Sequence, residues 1–254
     1  MTIFDTHAHY DDPKFADDLD ELLTGLPSKG VCNVINIGCD IETSQTCLDI
    51  ADKYGYCYAA CGIHPQDVGR AKDGDIDRLR KLLTHKKAVA IGEIGLDYYY
   101  DFAPHELQAE YFKKQLELSL ELCMPVIIHE REAVADCLDI IRKYDGIKGV
   151  FHCYSGSWET AKELLKRGYY ISFTGVVTFK NARRAVEVVK NMPLDRLMVE
   201  TDAPYMAPEP LRGKRCDSSM IKYIIERIAE IRETTPEEIG EITASNARRF
   251  FGIK

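Results

Sequence analysis

No stretch of 18 apolar residues occurs in the 254-residue chain, which excludes a membrane-spanning helix. The N-terminus, Met1-Thr2-Ile3-Phe4-Asp5, lacks a basic start followed by an apolar run, so a secretory leader is not expected and the expected location is the cytoplasm, with no membrane partner. Basic charge is in short supply: 33 Lys and Arg face 41 Asp and Glu, a formal net charge of −8. Holding long duplex nucleic acid by bulk charge needs many Lys and Arg contacts to phosphates, so that class is disfavoured; an enzyme gripping one or two phosphates is not. Among nine cysteines no Cys-x-x-Cys pair occurs and the count is odd. Cys32, Cys39, Cys57, Cys61, Cys123 and Cys153 lie in or beside apolar runs, so reduced, mostly buried thiols are expected and zinc-finger chemistry is not. A glycine-rich phosphate turn after an early strand is missing, which counts against a doubly wound dinucleotide-binding sheet. No linker rich in Pro, Gly or Ser divides the chain, so residues 1–254 read as one domain.

What is present is an alternation. Short runs rich in Val and Ile recur at 3–5, 31–39, 56–63, 88–96, 125–129, 149–154, 169–174 and 196–201. Between them lie amphipathic runs with near-helical spacing at 15–28, 41–54, 75–85, 104–122, 132–144, 157–167, 181–190 and 217–233, and a last one at 235–251. Ser157 is placed to cap one helix, and Pro104 and Pro236 suit first turns. Eight buried strands, each followed by a helix, predict a (β/α)8 barrel.

Active sites of such barrels lie at the C-terminal ends of the strands. His7 and His9 end the first predicted strand, and residues i and i+2 of a strand point the same way. His64 ends the third, His129 the fifth and His152 the sixth, while Glu93 lies in the fourth and Asp202 just beyond the eighth. Of seven histidines only His85 and His105 fall elsewhere. Taken singly, each has an ordinary reading as a core or turn residue. Six N and O donors from five strands (His7, His9, Glu93, His129, His152 and Asp202) would be desolvated and partly self-repelling without a cation. Six donors suit two ions better than one. The simplest sharing puts His7, His9 and Asp202 on one, His129 and His152 on the other, and Glu93 between them. Mixed imidazole and carboxylate donors leave magnesium, manganese and zinc open.

The stretches FDTHAH (4–9), GIHPQDV (62–68), IGEIGLDYY (91–99), PVIIHEREA (125–133), FHCYSGS (151–157) and ETDAPYMAP (200–208) span nearly the whole chain. Together they closely resemble the TatD family of metal-dependent nucleases, one of the amidohydrolase-like barrels. The resemblance implies the same six metal ligands. It also implies a deoxyribonuclease that works from the 3′ end of single strands. The chain departs from the family in one loop: Arg212-Gly213-Lys214-Arg215 is followed by Cys216-Asp217-Ser218 instead of the usual Asn-Glu-Pro.

The expected reaction is metal-assisted phosphodiester hydrolysis, on DNA or RNA. Glu93 bridges the ions, and Asp202 could take the proton of the attacking water. His64 could bind phosphate or protonate the leaving oxygen, or make only a structural hydrogen bond. Arg212, Lys214 and Arg215 are the candidates to hold a nucleic-acid backbone, against a solvated loop, with weak binding expected; Arg131 could hold a phosphate or pair with Glu93 or Glu132. Tyr98, Tyr99, Tyr100 and Phe102 could stack on bases or pack as core. Related barrels open C–N, lactone or phosphotriester bonds with a similar metal pair, several of them bridged by a carboxylated lysine. Here Glu93 occupies that place, which favours the nuclease reading over that alternative. A non-catalytic binding barrel would be expected to lack ligands. A monomer is favoured over an oligomer.

Overall fold

Short apolar runs, rich in Val, Ile and Ala, are too short for useful helices and too apolar to face water, so they pair as buried parallel strands. In the computed structural model, which describes all residues 1–254, these are β1 (Ile3–Ala8), β2 (Val31–Ile37), β3 (Cys57–Cys61), β4 (Ala88–Asp97), β5 (Val126–Arg131), β6 (Gly149–Phe151), β7 (Tyr170–Phe173) and β8 (Leu197–Val199). They pair in chain order in one eight-stranded parallel sheet. The segment after β8 returns to β1: Asp202 N–H donates to the His7 carbonyl at 2.9 Å and His9 N–H to the Ala203 carbonyl at 2.7 Å. The fold is the expected (β/α)8 barrel.

Nine helices surround it: α1 (Leu19–Gly25), α2 (Ile41–Lys53), α3 (Asp75–Leu82), α4 (His105–Leu122), α5 (Val134–Ile141), α6 (Trp158–Lys166), α7 (Arg183–Asn191), α8 (Ile221–Arg232) and α9 (Pro236–Phe251). Ser157 caps α6 as expected, accepting from Thr160 N–H at 3.2 Å. Several expected helices are shorter, and two show why. The 15–28 run breaks into a 3-10 turn Pro13–Phe15, then α1, then a 3-10 turn Leu26–Lys29, where Pro27 lacks the N–H an α-helix needs. The 217–233 run starts α8 only at Ile221, because Asp217 caps a separate 3-10 turn by accepting Ser219 N–H at 2.8 Å.

The barrel interior has two storeys. The lower is apolar and takes one or two residues from every strand: Phe4, Ile35, Ile37, Ala60, Ala90, Ile127, Val150, Tyr170 and Met198. Helix α9 closes it from below with Ala244, Ala247, Phe250 and Phe251. Strand period fixes what lies above, since Ile127 and His129, like Val150 and His152, point to one side. The opposite faces, with Val126, Ile128, Phe151 and Ile171, join the larger core beneath the helices. No helix is long and apolar enough to cross a membrane.

Candidate active site

The upper storey is polar and gathers all six expected donors. Its shape begins with two local irregularities. Register slips between Asp5 and Ala8 in β1, and between Ile91 and Ile94 in β4, put an extra residue into each strand. Such bulges re-aim side chains beside a site. In β4, Gly95 adopts φ +140°, and a Cβ there would lie 2.0 Å from the His129 carbonyl oxygen. Only glycine lets β4 and β5 run this close, which sets Glu93 against His129. Three non-glycine residues with left-handed backbone, Glu132, Cys153 and Asp202, follow β5, β6 and β8 at this same mouth.

His7 Nε2 lies 3.1 Å from His9 Nε2 and 3.7 Å from Asp202 Oδ1, and His9 Nε2 is 3.4 Å from that oxygen. Across the mouth, His129 Nδ1 and His152 Nε2 are 3.1 Å apart, each 2.7 Å from Glu93 Oε1. Glu93 Oε2 turns the other way, 3.3 Å from His7 Nε2 and 3.8 Å from His9 Nε2. One carboxylate thus reaches both sets. Ligands about 2.1 Å from one tetrahedral ion stand roughly 3.4 Å apart; His7, His9 and Asp202 have that spacing, while Glu93, His129 and His152 are drawn closer, to hydrogen-bond distance, and would part slightly around a divalent cation. His7, His9 and Asp202 are one such group, and His7, Glu93 and His152 another. His64 also joins, with Nε2 3.6 Å from Glu93 Oε1.

Electrostatics agrees with a cation-binding role. Burial favours a protonated Glu93, yet the imidazoles of His152, His64 and His7 hold its carboxyl well below the usual range. Asp202 is likewise held down against its burial by His9 and His7. Burial pushes the His7 imidazole down, with the stacked His152 ring 4.0 Å away adding to the effect. His64 is pushed down by burial too. His9, His129 and His152 go the other way: against their burial, the carboxylates of Asp202, of Asp97 and Glu93, and of Glu93 and Glu200 hold them up. Protons there offset the carboxylate charge, and a cation would displace them, since neutral imidazoles and ionised carboxylates are the forms that ligate metals.

Carboxylates and a carbonyl stand behind the imidazoles. Asp97 Oδ2 lies 3.0 Å from His129 Nε2, and Gln66 Nε2 donates to it at 2.7 Å. Despite burial, these contacts hold Asp97 down to about 2. Glu200 Oε1 accepts Cys153 N–H at 2.5 Å and lies 3.4 Å from His152 Nδ1. His9 Nδ1 faces the Ile37 carbonyl at 3.0 Å. Hydrogen-bonded partners such as Asp97 and the Ile37 carbonyl fix ring orientation in metal sites, whereas Nδ1 of His7 and Nδ1 of His152 are buried without a hydrogen bond. Asp97 and Glu200 are absent from the site as read from sequence, although both lie inside its motifs. Cys39, read as a buried thiol, stands beside the site: its sulfur is 3.9 Å from His9 Nδ1 and groups with His9 and Glu93.

The four basic candidates part ways. Arg131 forms no ion pair with Glu93 or Glu132; its guanidinium lies over the Tyr99 ring, 3.9 Å from the centroid. Arg212 lies over Phe179 at 4.4 Å. Lys214 has no ion-pair partner. Arg215 is engaged elsewhere: both its terminal nitrogens bond Asp18, at 2.7 and 2.5 Å, and one also reaches the Lys14 carbonyl at 2.7 Å. The departing loop is structural as well. Cys216 is buried, and the Ser218 hydroxyl donates to Asp5 Oδ2 at 2.6 Å, beneath His7. Burial pushes Asp5 up to about 7 in spite of its hydrogen bonds to Ser218, Thr201 and the His7 amide.

Comparison with known proteins points one way. The family described as TatD-related DNase matches residues 4–252. The uncharacterized metal-dependent hydrolase YabD of Bacillus subtilis is 42% identical over 99% of both chains. A Cronobacter sakazakii protein named 3′-5′ ssDNA/RNA exonuclease TatD is 33% identical, over 98% of this chain and 97% of its own. Among solved structures, the TatD homologue YjjV of Escherichia coli superposes with a TM-score of 0.93 at 29% identity, covering 99% of this chain and 98% of its own.

Proposed function

The chain belongs to the TatD-related DNase family, and from that premise we propose that it is a metal-dependent phosphodiesterase that shortens single-stranded DNA, or RNA, from the 3′ end. The observation that carries this reading is Glu93, whose two oxygens face different donors, Oε2 toward His7 and His9 and Oε1 toward His129 and His152. A single hydrolytic ion would need only one set; two ions about 3.5–4 Å apart are the usual means of splitting phosphodiesters. His7, His9 and Asp202 would hold one ion, His129 and His152 the other, and Glu93 both. Divalent cations there, magnesium, manganese or zinc, supply the Lewis acidity that makes water nucleophilic near neutral pH and offsets charge on phosphoryl oxygens.

The remaining work falls to side chains. Asp202, kept ionised by His9 and His7, accepts the proton of the attacking water. Gln66 N–H donates to His64 Nδ1 at 3.2 Å, so the ring proton sits on Nε2, which faces the mouth. From there His64 donates a hydrogen bond to a phosphoryl oxygen or to the leaving oxygen and keeps its proton, and the leaving oxygen is protonated by water. Arg131, Arg212 and Lys214 hold flanking phosphates. The name of the Cronobacter relative supports the choice of substrate.

The test incubates the protein with a 5′-labelled single-stranded oligonucleotide and magnesium, manganese or EDTA. A Glu93→Ala/Asp202→Ala double variant runs alongside. The expected product is a ladder shortening from the 3′ end, lost in EDTA and in the variant. An intact strand after incubation with protein shown to hold two metal ions overturns the nuclease reading.

A further inference from the structure

Four aromatic side chains of the protein are largely exposed, Tyr99, Tyr100, Phe102 and Tyr205, and all four stand on loops at the barrel mouth. Three of them share the connection between β4 and α4, with Tyr99 52% and Phe102 65% exposed. A single exposed aromatic needs no explanation, but a group of three beside a site does. The loop is braced. Asp97 Oδ1 accepts Tyr99 and Tyr100 N–H at 3.0 and 3.2 Å. Gln108 on α4 accepts Asp97 N–H at 2.9 Å and donates to the carbonyls of Asp97 and Ala103, both at 3.0 Å. The Tyr100 and Phe102 rings lie nearly parallel, 5.3 Å apart with 22° between planes, and Tyr99 meets Tyr100 edge-on at 4.8 Å. By contrast Tyr98 stacks on His105 at 3.6 Å and bonds Asp136, as a packing residue would.

Beside these rings lies a cation without an anion. The Arg131 guanidinium is 3.9 Å from the Tyr99 centroid and 5.0 Å from that of Tyr100. Its position, two residues beyond His129 on β5, ties it to the site, and Asp97 bonds His129 with its other oxygen. Braced π faces next to an unpaired guanidinium suit a ligand that repeats an aromatic ring and a negative charge. A nucleotide strand does so, and only an unpaired base leaves its face open to an amino-acid ring.

We infer that Tyr99, Tyr100, Phe102 and Arg131 form a stacking subsite that takes an unpaired nucleobase next to the scissile phosphate, with Arg131 on that nucleotide's phosphate. The inference rests on the nuclease reading and deepens it, since the subsite would be what restricts the enzyme to single strands.

The test uses two 5′-labelled oligonucleotides of equal length, one ordinary and one with abasic residues at its last three 3′ positions. Cleavage is measured by KM and kcat. Binding is measured by anisotropy on matching strands with 3′-terminal phosphorothioates, which resist cleavage. Both run on the metal-loaded wild type and on Tyr99→Ala/Phe102→Ala and Arg131→Gln variants, whose folding is checked by circular dichroism. Loss of one stacked base is expected to raise KM and Kd of the wild type roughly fivefold or more. That penalty should shrink toward one in Tyr99→Ala/Phe102→Ala. In Arg131→Gln both strands should weaken together. A wild type that treats the two strands alike, or a double variant that keeps the full penalty, overturns the subsite. Cleavage of both strands with equal constants sinks the subsite and leaves the nuclease standing. Base-dependent binding without cleavage does the reverse, and absence of both sinks the two together.

Discussion

Asp97 does two tasks with two oxygens. Oδ1 accepts the Tyr99 and Tyr100 amides, and Oδ2 faces His129 Nε2 at 3.0 Å. The second contact leaves Nδ1, the nitrogen beside Glu93 and His152, as the one free to bind metal. Asp97→Asn separates the tasks. An amide oxygen can still hold the turn, but an NH2 group now meets Nε2 and favours the opposite tautomer. We therefore expect metal affinity to fall by about 10- to 100-fold while the fold is kept. Titration calorimetry with manganese or zinc measures it. Wild-type affinity in this variant would mean that Asp97 serves the loop alone. Why did the sequence reveal Glu93 and not Asp97? Both lie in IGEIGLDYY, and both are acidic residues in an apolar setting. Spacing along one strand cannot say which carboxylate meets the front of an imidazole and which its back. That depends on the pairing of Asp97 with Arg131 across β4 and β5. Glu200, behind His152, was hidden for the same reason.

At the scale of elements, the alternating pattern was readable because burial on both faces forces strands into unbroken apolar runs. All eight strands and the helices between them lie where those runs predict. Their ends were less readable, because turn chemistry decides them. Pro27 tightens the end of the first helix, and Asp217 spends its side chain on a 3-10 turn. The loop after β8 shows the limit most plainly. In sequence, Arg212, Lys214 and Arg215 form one basic cluster. In the fold, Arg215 is held by Asp18, 197 positions earlier, and lies over Phe15. Arg212 rests on Phe179 and keeps its charge unpaired. The two arginines should respond differently. Arg212→Ala is expected to raise KM for oligonucleotide several-fold, with the urea midpoint unchanged. Arg215→Ala should lower the urea midpoint slightly and leave KM near wild type. Paired urea melts and steady-state kinetics decide, and the reverse pattern would restore Arg215 to the substrate-binding group.

The whole barrel joins two storeys with opposite chemistry. The lower one is an apolar plug, in which Phe250 of α9 touches a layer drawn from all eight strands. The upper one concentrates ionisable groups from β1, β4, β5, β6 and the segment after β8, none of which gains from burial without a counter-charge. Truncating Phe250 to Ala should cost roughly 3–5 kcal/mol, as large aromatic deletions in cores do. Metal acts at the other end. A cation bound to the folded state alone adds about 2.7 kcal/mol at a hundredfold excess over Kd. For a chain of this size that raises Tm by roughly 5–10 °C. Because the storeys share no ligand, the two effects should add. Differential scanning fluorimetry with manganese and with EDTA should show the same metal-induced rise in wild type and in Phe250→Ala, from a lower starting point in the latter. Glu93→Gln should lose most of the rise, since its carboxylate reaches both donor sets. A Phe250→Ala protein that no longer responds to metal would mean that the floor helps shape the mouth, and that the strands carry packing changes from one storey to the other.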